Sequence, residues 1–448
     1  MKIHKAILAF ALTSSSFVSA SMQENHANEV PHGKVVAAYF ADWQYFHPDK
    51  PYNVKNIPAE SLTHIIYAFL SMCGPHEYAS KETQGLVKQQ CKGKKPFTAI
   101  VVDKKSALTH DFGPVEADVN YKGHFAQLAQ LKLEHPEVKI LPSFGGWTMS
   151  EPFHEMAKDP NAIKHFAYSA AELIERYSFF DGIDINWEYP GGGGLTTQPW
   201  NPATKLLADE MELEKTAYTA LVQHLRDALD ELGAKHNRYY TLTTAGGVAD
   251  KAPQIDWPAV APNLDHIFAM TFDYLGGWAI FTGHSANLHA TERSVWGMGT
   301  DVFIQQLLDL DVPPEKIVMG TTQYGRGWEG TKNYHGEPPS ETLMSARGAQ
   351  FGTGENGYFQ YWDIIENYGE KQGFQSHFDK ESQAAYLWHP KDKIFISYEN
   401  EQALRAKVKW AKANGLGGVF SWELSGDPSG KLMRALYDEM HSAASLPE

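Results

Sequence analysis

The densest chemistry in the chain lies in ten consecutive residues, Asp181-Gly182-Ile183-Asp184-Ile185-Asn186-Trp187-Glu188-Tyr189-Pro190. If this segment is a strand, alternate side chains face opposite ways, so Asp184, Asn186 and Glu188 share one face. Ile183, Ile185 and Trp187 then share the other. Buried carboxylates are costly unless paired or used, and a polar row turned toward an interior predicts acid–base chemistry. Loop capping is the bland alternative, and it leaves the polar/apolar division unexplained. At about 3.3 Å per residue, Asp184 and Glu188 start roughly 13 Å apart along the strand. A retaining carboxylate pair needs about 5–5.5 Å, with the two groups flanking the scissile bond. A sugar that supplies its own nucleophile removes that difficulty, so substrate-assisted hydrolysis fits the segment better.

Such a strand needs a frame. Apolar, β-branched or aromatic runs recur at 34–40, 63–69, 138–144, 182–187, 239–245, 266–272, 316–324 and 417–422. Helical patterns lie between several of them, at 124–134, 160–177, 301–310 and 401–414. The clearest has Leu221, Leu225, Leu229 and Leu232 on one stripe, with Gly233 placed to stop it. Eight strand–helix units predict an α/β fold, a (β/α)8 barrel, with residues 34–448 as its catalytic unit. A doubly wound open sheet is the competitor, but no GxGxxG or P-loop follows any strand. Between Trp328 and Ile394 the rhythm breaks into glycines, aromatics and short polar pieces. Residues 329–394 therefore predict a small α+β insertion after the seventh strand, standing over the active end of the barrel.

The central segment resembles the DGxDxDxE signature of family 18 chitinases. SFGGW (143–147) is similar to their SxGG motif, and MTFD (270–273), YGRGW (324–328) and GVFSWE (418–423) resemble their motifs on the sixth, seventh and eighth strands. The nearest likeness is to bacterial processive chitinases with an α+β insertion, which also carry a cysteine pair like Cys73 and Cys91. The resemblance implies that Glu188 protonates the glycosidic oxygen and that Asp184 is the inner aspartate, backed by Tyr39 and Ser143. It further implies that Met270, Asp273, Tyr324 and Arg326 surround the reacting sugar, with Trp422 as its floor. Trp43, Trp147 and Trp278 would stack on successive sugars; for each of these tryptophans the alternative is core packing. No cofactor is implied.

Two departures touch one chemical group. The family's middle aspartate is Asn186, which can accept the acetamido N–H but carries no charge. The phenol of the sixth-strand motif is Phe272. Losing one preorganised polar contact to developing charge costs about 10²–10³ in rate, so a slow hydrolase is expected, with relatively prominent transfer to sugar acceptors. A third departure is Gly354, where relatives often carry tryptophan. Other readings are a lectin on the same barrel, an endo-β-N-acetylglucosaminidase, and a chitinase-like subunit of a toxin complex.

The ends and the charge agree with a secreted protein acting on a neutral polymer. Lys2, Lys5, an apolar run and Val18-Ser19-Ala20 predict a signal peptide over 1–20, followed by a short segment over 21–33. No run is long enough to span a membrane. The formal charge is −15, and removing Lys2 and Lys5 with no acid takes it to −17. That disfavours nucleic acid and anionic membranes and suits chitin or chitooligosaccharides. Cys73 and Cys91 flank a polar, loop-like stretch and can close one disulfide in an oxidising compartment. Two cysteines without an HExxH pattern do not make a metal site.

Overall fold

A computed structural model describes residues 34–198, 201, 204–332 and 346–442. The expected signal peptide and the segment to residue 33 lie outside these residues. Eight parallel strands close a barrel: β1 (Val35–Ala41), β2 (His64–Met72), β3 (Lys139–Gly145), β4 (Gly182–Asn186), β5 (Thr241–Gly246), β6 (His266–Ala269), β7 (Ile317–Thr322) and β8 (Gly418–Trp422). Neighbours pair in chain order, and β8 pairs with β1 to complete the ring.

The alternation read from the sequence sorts the core into two layers. Ile183, Ile185 and Trp187 face outward into the large core between barrel and helices, where Trp187 stacks on Phe153 at 5.3 Å between ring centroids. Tyr39, Leu141, Phe268, Val318 and Phe420 fill the barrel interior, with Met270, Phe272 and Trp422 packed on top. Branched and aromatic residues suit strands buried on both faces.

A second, antiparallel sheet carries Tyr324–Glu329, Arg347–Gly348, Tyr358–Gln360, Gln375–Asp379, Ala384–His389 and Ile394–Tyr398. The insertion thus begins earlier and ends later than 329–394. YGRGW is its first strand rather than part of the seventh barrel strand, because Tyr324–Glu329 pairs with Ile394–Tyr398. MTFD likewise lies just past the end of β6.

Two local expectations are corrected. The helix carrying the leucine stripe runs Ala208–His236, straight through Gly233, and ends at Asn237 in the left-handed conformation. Gly233 instead makes room for the returning chain, since a Cβ there would press on the Arg238 carbonyl. The stretch between the cysteines is not a loop but contains a helix, Lys81–Gln90. The Cys73–Cys91 disulfide is formed across it.

Candidate active site

The site grows from one rung of the barrel. Ser143 of β3, Asp184 of β4 and Thr243 of β5 are register partners. Ser143 Oγ donates to Asp184 Oδ2 at 2.6 Å, Thr243 Oγ1 donates to Oδ1 at 2.6 Å, and Tyr39 Oη donates to Oδ2 at 3.0 Å. Asp184 is wholly buried. Burial raises its pKa, and the three hydroxyls work against that by favouring the carboxylate.

One turn of the alternation higher, Asn186 is also buried, and its Oδ1 accepts no hydrogen bond. The Asn186 and Tyr189 side chains both donate toward the carboxyl of Glu188. Glu188 sits just beyond the strand, at the mouth of the barrel. Its pKa is pushed up to about 7, chiefly by burial and further by the charge of Asp273, while Tyr189 and Asn186 pull it down. A carboxyl in that range can hold a proton at neutral pH and give it up during a reaction.

The backbone beneath Glu188 is fixed by Ser150. Its hydroxyl accepts the Glu188 N–H at 2.9 Å and donates to the Gly146 carbonyl at 2.9 Å. The glycine pair of SFGGW is required here: Gly145 has φ +114, and a Cβ would run into the Asn186 carbonyl. Asp181 belongs to the opposite end of β4. It accepts from Lys132 at 2.9 Å, Arg238 at 2.8 Å and the Ile140 N–H at 2.8 Å, a structural brace far from the mouth.

Around the mouth, Arg326 grips Asp273 with two hydrogen bonds of 2.8 Å each. The guanidinium is flanked by Trp278, Tyr324 and Tyr358 at 5.1, 5.1 and 5.2 Å from their ring centroids. Trp422 stacks on Phe69 at 5.7 Å and contacts Tyr39 and Trp43. Core packing does not describe Trp43, Trp147 and Trp278, which are 44%, 47% and 62% exposed. Met270 and Phe272 pack on the barrel interior, Phe272 against Phe420.

Three residues at this site escape motif reading, and a fourth, Glu423, lies in GVFSWE with no role read from it. Thr243 was legible in principle, since alternation through Thr241-Leu242-Thr243 puts it inward. Ser150 and Tyr358 are positioned by tertiary pairing, and Tyr358 stacks on Tyr324 at 4.8 Å. Glu423, next to Trp422, is buried with its pKa raised to about 7, mainly by burial, and accepts from Ser425 and Gln44.

The family model for glycosyl hydrolases family 18 matches residues 35–427. The chain belongs to glycosyl hydrolase family 18. This family 18 chain is 33% identical to Chitinase A of Pseudoalteromonas piscicida, over 94% of its own length and 54% of that protein's. It is 34% identical to a chitinase of Autographa californica nuclear polyhedrosis virus, covering 90% of itself and 72% of the relative. It therefore spans little more than half of the first of these proteins. Among solved structures, Chitinase ChiA74 from Bacillus thuringiensis superposes with a TM-score of 0.80 at 27% identity, over 93% of this chain and 71% of the other.

Proposed function

We propose that this chain is a secreted chitinase that cleaves β-1,4 linkages between N-acetylglucosamine units with retention of configuration. The observation that carries the reading is Glu188, a buried carboxyl raised to about 7 at the barrel mouth. It stands beside the unpaired Oδ1 of Asn186. In the proposed reaction the acetyl oxygen of the bound sugar attacks its own anomeric carbon. Glu188 passes its proton to the glycosidic oxygen, and that bond breaks. Water then attacks the oxazolinium carbon, giving its proton back to Glu188. Asn186 Oδ1 accepts the acetamido N–H and orients the attacking oxygen. Asp184, whose ionised form the Tyr39, Ser143 and Thr243 hydroxyls favour against its burial, supplies negative charge beneath the cation. Arg326 and Asp273 position the sugar with Met270 and Tyr324, Trp422 forms its floor, and Trp43, Trp147 and Trp278 stack on sugars to either side.

Asn186 is neutral and Phe272 has no hydroxyl, so the oxazolinium gains less stabilisation than an aspartate and a tyrosine would give. The rate is lowered by about 10²–10³ for each lost contact of this kind. The ion's partition also shifts toward sugar acceptors. Export follows from the signal peptide over 1–20, and residues 34–448 form the catalytic unit. Proton NMR of freshly cleaved chitin tetrasaccharide tests the mechanism: the β-anomer is expected first, whereas the α-anomer rules out substrate-assisted retention. Mass spectrometry of the same reaction should show products longer than the substrate.

A further inference from the structure

Two side chains from outside the barrel accept backbone N–H groups of the segment that carries Glu188. Ser150 takes that of Glu188 itself. Glu214, on the helix Ala208–His236, takes that of Gly191 through Oε2 at 2.9 Å. Glu214 is 3% exposed, and a carboxylate so far from water is kept only where it is paired. Its partner is His154, buried on the short helix Glu151–Met156, whose Nδ1 lies 2.7 Å from Glu214 Oε1. A carboxylate oxygen only accepts, so Nδ1 carries the proton and donates.

What this pair grips is the turn that follows Glu188. The Gly192 N–H donates to the Tyr189 carbonyl at 2.9 Å, with Pro190 and Gly191, φ +76, at the centre, the residue pair that a type II turn favours. Past the turn the chain returns against Glu188, since a Cβ on Gly194 would run into the Glu188 carbonyl. At the start of the turn, the Tyr189 ring lies against the backbone of Gly247, and its side chain donates toward the Glu188 carboxyl. On the outer face, Trp187 stacks on Phe153 and meets His154 edge-on at 5.5 Å. The short helix and Ser150 before it therefore reach residues 187, 188 and, through Glu214, 191. A pin for the barrel wall is the plainer role for such a pair. Glu214, however, makes its backbone contact in the turn that aims Tyr189 and not within a strand.

We infer that Glu214, oriented by His154, is a positioning residue for the acid: it fixes the Tyr189–Gly192 turn and with it the direction in which Tyr189 and Glu188 face the cleft. This rests on the chitinase reading. Four successive glycines, 191–194, give the turn little stiffness of its own, so its shape has to be supplied by side chains from outside. A misplacement of about 1 Å costs about 10²-fold in rate. Precise placement of a reacting group requires neighbours that are themselves locked by hydrogen bonds, and Glu214 has one on each carboxylate oxygen.

The test compares Glu214→Gln, Glu214→Leu and His154→Phe with wild type, as full chains, for steady-state cleavage of chitin tetrasaccharide, its pH profile and Tm. Gln keeps both bonds, because its amide oxygen accepts from Gly191 and its NH2 donates to the opposite imidazole tautomer. That variant should cleave at close to the wild-type rate. Leu removes both bonds and should lower kcat about tenfold to 10²-fold, with KM nearly unchanged because no group that touches sugar is altered. Phe in place of His154 keeps a ring beside Trp187 and frees one oxygen of Glu214, so kcat should fall less. In both, a loosened Tyr189 pulls Glu188 down less against burial and Asp273, so the alkaline limb of kcat/KM should move upward. A lower Tm with wild-type kcat and pH limb in Glu214→Leu and His154→Phe overturns the inference and leaves a pin for the fold. A rise in KM with kcat unchanged overturns it too. If Glu214→Leu does not fold, His154→Phe decides on the same two readouts. A wild type that cleaves the tetrasaccharide while every variant matches it overturns this inference alone. A wild type that leaves the tetrasaccharide intact overturns it together with the chitinase reading.

Discussion

Thr243 and Asp184 occupy one rung of the barrel, and the threonine hydroxyl reaches Oδ1 of the aspartate at 2.6 Å. Ser143 reaches Oδ2 from the strand on the other side, also at 2.6 Å. The carboxylate is thereby clamped from both neighbouring strands, and Tyr39 closes the third side from β1. Burial raises the pKa of Asp184, and the three donors oppose that rise by favouring its ionised form.

Thr243→Val keeps the shape and removes one donor. A hydrogen bond to a charged group contributes about 1.5–3 kcal/mol, so hydrolysis should fall by about tenfold or more and Tm should drop. Steady-state kinetics alongside calorimetry checks this. An unchanged rate would mean that Asp184 does not act as a carboxylate in the reaction.

Burial lifts Glu188 from its ordinary 4.5 to about 7. Between those pH values the native chain keeps a proton that the unfolded chain has lost. Stability therefore falls as pH rises through this window, and the penalty is complete above about 7. Glu188→Gln removes the penalty. The variant should be more stable than wild type by about 3 kcal/mol at pH 8 and nearly equal to it at pH 4. Denaturant titrations at the two pH values measure the difference, and a pH-independent difference contradicts the assignment. In the wild type, kcat/KM should decline above about pH 7 as the acid loses its proton.

Arg326→Lys retains the charge but not the fork that holds Asp273 by two hydrogen bonds. The three surrounding rings lose a planar partner at the same time. Affinity for chitin oligosaccharides should weaken, with KM rising more than kcat falls. A variant with wild-type KM would show that the pair braces the insertion without positioning sugar.

The Cys73–Cys91 bridge closes a loop with a sequence separation of 18. Chain-entropy arguments give about 3 kcal/mol for a loop of this size. Replacing both cysteines by serine should lower Tm by several degrees while leaving the oligosaccharide cleavage rate intact. A lost activity at temperatures well below the new Tm would tie the bridge to the cleft instead.

The barrel was legible because its strands are buried on both faces and stand out as apolar runs. The alternation from Asp184 to Glu188 showed which side chains meet the interior and which meet the helices. Legibility ended where long-range pairing decides the outcome. Tyr324–Glu329 looks like a continuation of the seventh strand, and only its partner Ile394–Tyr398 assigns it to the second sheet. The helix Lys81–Gln90 buries a single side chain, Val87, so it has no apolar stripe to reveal it. Gly233 suggested a helix stop, yet the close approach of Arg238 is what needs the glycine. Ser150 and Tyr358 gave no signal in the sequence, since their importance comes from contacts with Glu188 and Arg326 that the fold creates.

Whether Glu188 is the acid of a chitinase slowed by its neutral neighbour Asn186 is decided by mass spectrometry of chitin hexasaccharide incubated with wild type, Glu188→Gln and Asn186→Asp. Slow cleavage by wild type, none with Glu188→Gln, and faster cleavage with Asn186→Asp are expected. Tight binding of the hexasaccharide without cleavage, unchanged by Glu188→Gln, would contradict this assignment and mark the chain as a lectin.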